Sequence, residues 1–174
     1  PPIPELVDIV RKIFPDLRTV GIISNSGEVN SVKMSENLEK ALSIFNIKVK
    51  KASIANSSDI KTAMNKLVSS VDLIYLPQDN SVVSALDNIA SIAKANKIPL
   101  IANDPTLVQR GVFVAFGSNY FKSGKQLGNM IADLMDGISI KENIQNTKTK
   151  ELKVNHELAK EFGIKIPDNL GEEK

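Results

Sequence analysis

The chain has 174 residues, 42% of them hydrophobic and 24% charged, with a formal net charge of +2. These are values of a soluble globular protein the size of one ordinary domain, long enough to bury about 70% of its unfolded surface. So small a charge, spread along helical segments, with no tryptophan, argues against nucleic acid as a partner. The absence of cysteine removes thiol catalysis, disulfides and zinc–thiolate sites.

In chain order, the opening prolines lead into an amphipathic helix with Leu6, Ile9, Val10 and Ile13 at helical spacing, stopped by Pro15. Thr19–Ile23 is a near-continuous apolar run, as expected of a strand covered on both faces. A helix is expected from about Ser31 to Phe45, then an edge strand over Ile47–Ile54, where apolar residues alternate with lysines. Ser57, Ser58 or Asp59 caps the next helix, which carries Ile60, Ala63, Met64 and Leu67. Val71–Leu76 is a third strand, Val82–Ala95 a third helix, Pro99–Ala102 a fourth strand and Val112–Phe116 a fifth. Ser118 or Asn119 then caps a long helix to Met135, closed by Gly137. Beyond it, 138–150 reads as a polar crossing segment, Glu151–Val154 as a short strand, Asn155–Phe162 as a short helix ended by Gly163, and Asp168–Lys174 as a fraying tail.

Such alternation predicts a three-layer α/β/α fold on a mainly parallel five-stranded sheet with right-handed crossovers. By pattern the chain divides into a leading helical segment 1–17, an alternating α/β region 18–137, and a crossing segment with tail 138–174. Four of the apolar runs end in polar clusters: residues 24–31, 78–81, 103–104 and 118–120. In an open parallel sheet the carboxyl ends of the strands form the edge where ligands bind, so four such clusters on one rim predict a small polar ligand.

Each cluster has two readings. Asn30 and Ser31 either cap the following helix or face a ligand carboxylate, and both uses are compatible. Asp79 accepts hydrogen bonds from a ligand amine, or Asp79 or Asn80 caps the helix they open. Asp104 lies in an Asn-Asp-Pro turn and Asn119 precedes the longest helix, so capping competes with ligand positioning at both. The loop after the first strand lacks the glycine run and Lys-Ser/Thr pair of a phosphate-binding P-loop. His156 is the only histidine and lies far along the chain from the rim clusters, which leaves a Ser-His-Asp arrangement without a base. No cluster has metal-ligand spacing, and no cofactor or metal is expected.

Several segments are similar, in order, to one known family. The run Thr19–Ser31 resembles "VGVLYNPGEANS", and Val71–Asn80 resembles "VDAIYVPTDN". Lys125-Gln126-Leu127-Gly128 resembles "GRQTGKMA", Phe162–Pro167 resembles "LGITIP", and Glu5–Phe14 resembles an inter-lobe segment "PIKEQLELIKKLLP". The family is that of ABC-transporter substrate-binding proteins, two-lobed type I periplasmic-binding relatives that include aromatic amino-acid binders. Departures are Ser26 for the family's Pro, Gln78 for its Thr, and Ser118-Asn119 for the Phe-Asp of "GFDYYDLG".

The resemblance implies that this chain is the second lobe, with 1–17 as its inter-lobe hinge segment, 18–137 as the ligand-binding lobe and 138–174 as the returning crossover and tail. It implies too that an N-terminal lobe and a signal segment precede it, and that the location is extracytoplasmic. It also implies ABC permease subunits as partners. The poor catalytic inventory of the residues themselves leads to the expectation of a chain that holds a molecule and is not an enzyme. The exposed cleft face of a detached lobe also offers a surface for dimerisation. A rival of the same architecture is the effector-binding lobe of a transcriptional regulator, and a flavodoxin-like or sugar-isomerase enzyme is a third.

Overall fold

In a computed structural model, which describes residues 2–139 and 145–170, the chain builds one six-stranded sheet in the order β2-β1-β3-β4-β5-β6. The strands are β1 (Thr19–Asn25), β2 (Lys48–Ile54), β3 (Leu73–Leu76), β4 (Leu100–Ala102), β5 (Val114–Ser118) and β6 (Lys150–Val154). The first five are parallel, and β6 joins antiparallel, pairing Val114 with Val154 and Ser118 with Lys150. The expected fold class holds, and the short strand expected near residue 151 closes the free edge of β5 as a sixth member. Parts of the expected crossing segment (140–144) and tail (171–174), and Pro1, lie outside the described residues.

Period-2 alternation sorts the strand residues onto two cores. Val20, Ile22, Leu73, Tyr75, Ile101 and Val114 face one side. There they meet helix α1 (Ile3–Ile13) and helix α2 (Val29–Ser43), which contribute Leu6, Val10, Leu38 and Leu42. Ile23, Ile74, Leu76, Leu100 and Ala102 face the other. That side is covered by helix α3 (Ile60–Val68), the short helix α4 (Asn80–Ser84), helix α5 (Leu86–Ala95) and a 3-10 segment over Pro105–Arg110. Phe14 at the end of α1 packs edge-on against Phe113, with ring centroids 5.9 Å apart. At the sheet's other edge, β2 exposes Lys48, Lys50 and Lys51, charges that discourage pairing with another chain.

Four local expectations shift. Helix α2 begins two residues earlier than expected, with Glu28 at its N-cap position and no side chain capping it. The expected Val82–Ala95 helix divides at Ala85 (φ −100°, ψ 12°) into α4 and α5. Asp59 turns its carboxylate backwards to accept from the Ala55 and Asn56 amides, 2.9 and 3.3 Å, and does not cap α3. Strand β5 starts at Val114, two residues late. Gly111 adopts φ 94° to end the 3-10 segment, and the Val112 N–H turns back to the Leu107 carbonyl at 3.3 Å.

Helix α6 (Tyr120–Met135) stands apart: none of its residues is buried. Its hydrogen bonds to the returning chain run from Ser123 to Thr147 (2.7 Å) and from the Lys148 N–H to Gln126 (3.1 Å). After β6, helix α7 (His156–Phe162) is capped by Asn155 and ended by Gly163 at φ 71°. Because Val154 pairs with Val114 at the start of β5, His156 sits at the amino edge of the parallel strands, opposite the rim.

Candidate functional site

The polar clusters after β1, β3, β4 and β5 follow the carboxyl ends of neighbouring parallel strands, so they share one border of the sheet. The strand order reverses between β1 and β3, the switch point where open α/β sheets hold ligands. Here that crevice is stitched shut. Asp79, 2% exposed, accepts through Oδ2 from the Asn25 N–H (2.6 Å) and the Ser31 hydroxyl (2.7 Å), and through Oδ1 from the Val82 N–H (3.0 Å). The last bond caps α4, and the first two tie the end of β3 to the end of β1 and the first turn of α2.

Glu28 adds a second stitch, its carboxylate accepting from the Asn80 and Ser81 amides at 2.9 and 3.1 Å. Asn80 and Ser81 also donate to it from their side chains, at 3.1 and 3.3 Å. Asn25 completes the seam by donating to the Ser81 hydroxyl at 2.9 Å, while its own Oδ1 accepts from the Gly27 N–H at 2.8 Å.

The open space lies one strand over, above the carboxyl ends of β3 and β4. It is a cavity of about 280 Å³. Leu76, Pro77 and Ala102 form its apolar base, and Asn30, Gln78, Asn103, Asp104 and Tyr120 bring polar groups to it. Of the residues expected from sequence, Asn30, Asp79, Asn80 and Asp104 reach this lining; Ser31 and Asn119 do not. Ser31 is fully buried beneath Asp79. Asn119 caps α6 through the Lys122 N–H at 2.9 Å and donates to Glu151 at 2.8 Å. Asn30 does not cap α2, because its amide donates instead to the Gln78 carbonyl at 2.6 Å.

Three lining residues were not singled out from the sequence: Gln78, Asn103 and Tyr120. Tyr75, buried in the sheet, donates its hydroxyl to Asn103 Oδ1, and the Asn103 amide donates to the Phe116 carbonyl at 3.3 Å. Gly117 allows this floor to form: a Cβ there would lie 1.8 Å from the Asn103 carbonyl oxygen. At the mouth, Gln78 donates to the Tyr120 hydroxyl (3.2 Å), which donates to Asp104 Oδ2 (3.3 Å). Burial and the neighbouring Asp104 charge raise the Tyr120 hydroxyl above its usual pKa, so it remains a donor across the physiological range.

The cavity's lining includes carboxylates, amides and a phenol, but no lysine, arginine or histidine. Among the described residues no group of histidines and carboxylates is placed to hold a metal ion. A lining of this composition offers hydrogen-bonding groups over an apolar base, the make-up common to small-molecule sites.

A sequence model described as "ABC transporter substrate binding protein" matches residues 2–173. The chain belongs to that family, whose members are substrate-binding proteins. It is 30% identical over 138 residues to a tyrosine-binding protein of Clostridioides difficile, an alignment covering 79% of this chain and 40% of that one. A conserved domain protein from Vibrio cholerae superposes with a TM-score of 0.85 at 28% identity, covering 97% of this chain and 57% of that one. An ABC domain from Streptococcus pneumoniae in complex with L-Trp gives a TM-score of 0.84 at 23% identity, covering 97% and 58%, a likeness of fold. The chain thus spans roughly half the length of these relatives.

Proposed function

We propose that this chain supplies one wall of a ligand cleft in an extracytoplasmic substrate-binding protein that passes a small polar ligand, an amino acid in particular, to an ABC permease. The observation that carries the reading is the cavity over β3 and β4, polar at its mouth and apolar at its base, on the rim where this fold class binds ligands. Asn30, Asn80, Gln78, Asn103, Asp104 and Tyr120 make the wall. Asp79 and Ser31 hold it from beneath, and Asn119 anchors α6, which carries Tyr120.

The facing wall comes from a second lobe, and closure of the two sequesters the ligand. Helix α6 supports that second body. Leu127, Ile131 and Leu134 recur at helical spacing and are 57, 50 and 58% exposed, an apolar stripe of the kind that a partner surface covers. The tyrosine-binding relative supports an amino acid as the ligand class. Nothing in the lining calls for chemistry on the ligand.

Calorimetry with L-tyrosine on the two-lobed protein tests the reading. Gln78→Trp, which fills the cavity mouth from an exposed position, is expected to abolish binding while leaving the thermal transition in place. Unchanged affinity in that variant would remove this cavity from the site.

A further inference from the structure

The two carboxylates on the cavity lining differ in what they have left to offer. Asp79 is enclosed, and both its oxygens are taken by protein donors. Asp104 is half-buried on the turn after β4. Its Oδ1 accepts from the Thr106 N–H at 2.9 Å and the Thr106 hydroxyl at 2.7 Å, two bonds that fix the plane of the carboxylate. Among the described residues, Oδ2 accepts a single long bond, the 3.3 Å contact from Tyr120. A carboxylate oxygen has room for more than one donor. Asp104 therefore presents a held, undersubscribed anionic oxygen to a cavity whose lining has no cationic side chain to neutralise it.

A ligand anion meets the opposite situation. Two backbone donors at this rim, those of Asn80 and Ser81, are already occupied by Glu28. A carboxylate or phosphate placed beside Asp104 would face like charge in a partly desolvated space. An ammonium group gains a charge-assisted hydrogen bond there, with the half-exposed Tyr120 ring beside it as a second source of attraction.

Building on the ligand wall described above, we propose that Asp104 selects ligands bearing a primary ammonium group, and that any anionic group of the same ligand points away from this wall. The ammonium bonds Asp104 Oδ2 at the cavity mouth. Asp79, which the sequence offers for that role, shapes the loop that borders it.

Backbone amide NMR of the 174-residue chain tests this with three probes at millimolar concentration: tyramine, N-acetyl-L-tyrosine and D-galactose. Tyramine has the ammonium without the carboxylate; N-acetyl-L-tyrosine has the reverse. The expected result is that tyramine shifts the amides of Gln78, Asn103, Asp104 and Tyr120, that the other two probes do not, and that Asp104→Asn weakens the tyramine response about tenfold or more, the scale of one charge-assisted bond. Equal shifts from N-acetyl-L-tyrosine or galactose would overturn ammonium selection and leave the wall standing, as would an undiminished tyramine response in Asp104→Asn. Silence of these amides toward all three probes would overturn both the selection and the wall.

Discussion

Asp79 gathers three hydrogen bonds from three separate segments of the chain, and its burial makes each of them costly to lose. Replacing it with alanine leaves the Asn25 and Val82 amides and the Ser31 hydroxyl without their acceptor in a region water does not reach. Buried donors stranded in this way cost about 1–3 kcal/mol each, softened by local relaxation. Asp79→Ala is therefore expected to lower stability by about 2–4 kcal/mol in urea denaturation, with Ser31→Ala costing about 1 kcal/mol. A loss below about 0.5 kcal/mol for Asp79→Ala would show that these bonds do not hold the rim together.

The sequence marks Asp79 as important but not why. A carboxylate after a buried strand looks the same whether it faces a ligand or a neighbouring loop. What decides is the 2.6 Å approach of the Asn25 amide, 54 positions away in the chain. Tyr120 shows the converse. It reads as an ordinary first-turn residue of a helix until the fold brings it over Asp104. Asp104 caps the Thr106 turn with one oxygen, as the sequence allows, and the residue also lines the cavity.

At the scale of elements, hydrophobic runs locate the strands well because both sheet faces are covered. Leu73, Ile74, Tyr75 and Leu76 are all buried, so continuous apolarity is the pattern the fold imposes. Boundaries are harder where a turn decides them. The backbone break at Ala85 has no glycine or proline to announce it, and β5 gains Gly117 and Ser118 only because β6 pairs with them. That pairing requires a strand some 35 positions on, which local periodicity does not register.

Helix α6 is the reverse case: its apolar repeat is plain in the sequence, yet the described residues supply nothing to bury it. A stripe of this kind should stabilise nothing within the chain and should drive association between copies when the proposed second lobe is absent. Leu127→Glu combined with Ile131→Glu is expected to change the unfolding free energy by less than about 0.5 kcal/mol, the range of surface substitutions. Sedimentation of the same variant should show weaker concentration-dependent self-association than the parent chain. A large drop in stability would mean that the stripe is packed within the chain.

For the whole molecule, the topology does most of the functional work. The order β2-β1-β3-β4-β5 places four polar loops on one border, and the seam formed by Asp79 and Glu28 closes the switch point, so that the open space falls over β3 and β4. A rigid floor follows from the Tyr75–Asn103 bond and from the close approach that only Gly117 permits. The largely apolar cavity lined by Phe14, Leu17, Asp72 and Ile164 lies at the other end of the sheet, beside the start of β1 and β3, and has no part in this arrangement.

The most direct test is a crystal structure, grown with L-tyrosine, of this chain together with the second lobe proposed above. The amino acid should lie over the ends of Leu76 and Ala102, its nitrogen within hydrogen-bond distance of Asp104 and its carboxylate pointing away from this wall, toward the proposed opposite lobe. Ligand density seated away from Gln78, Asn103 and Tyr120, or resting on the amino-end cavity, would contradict it.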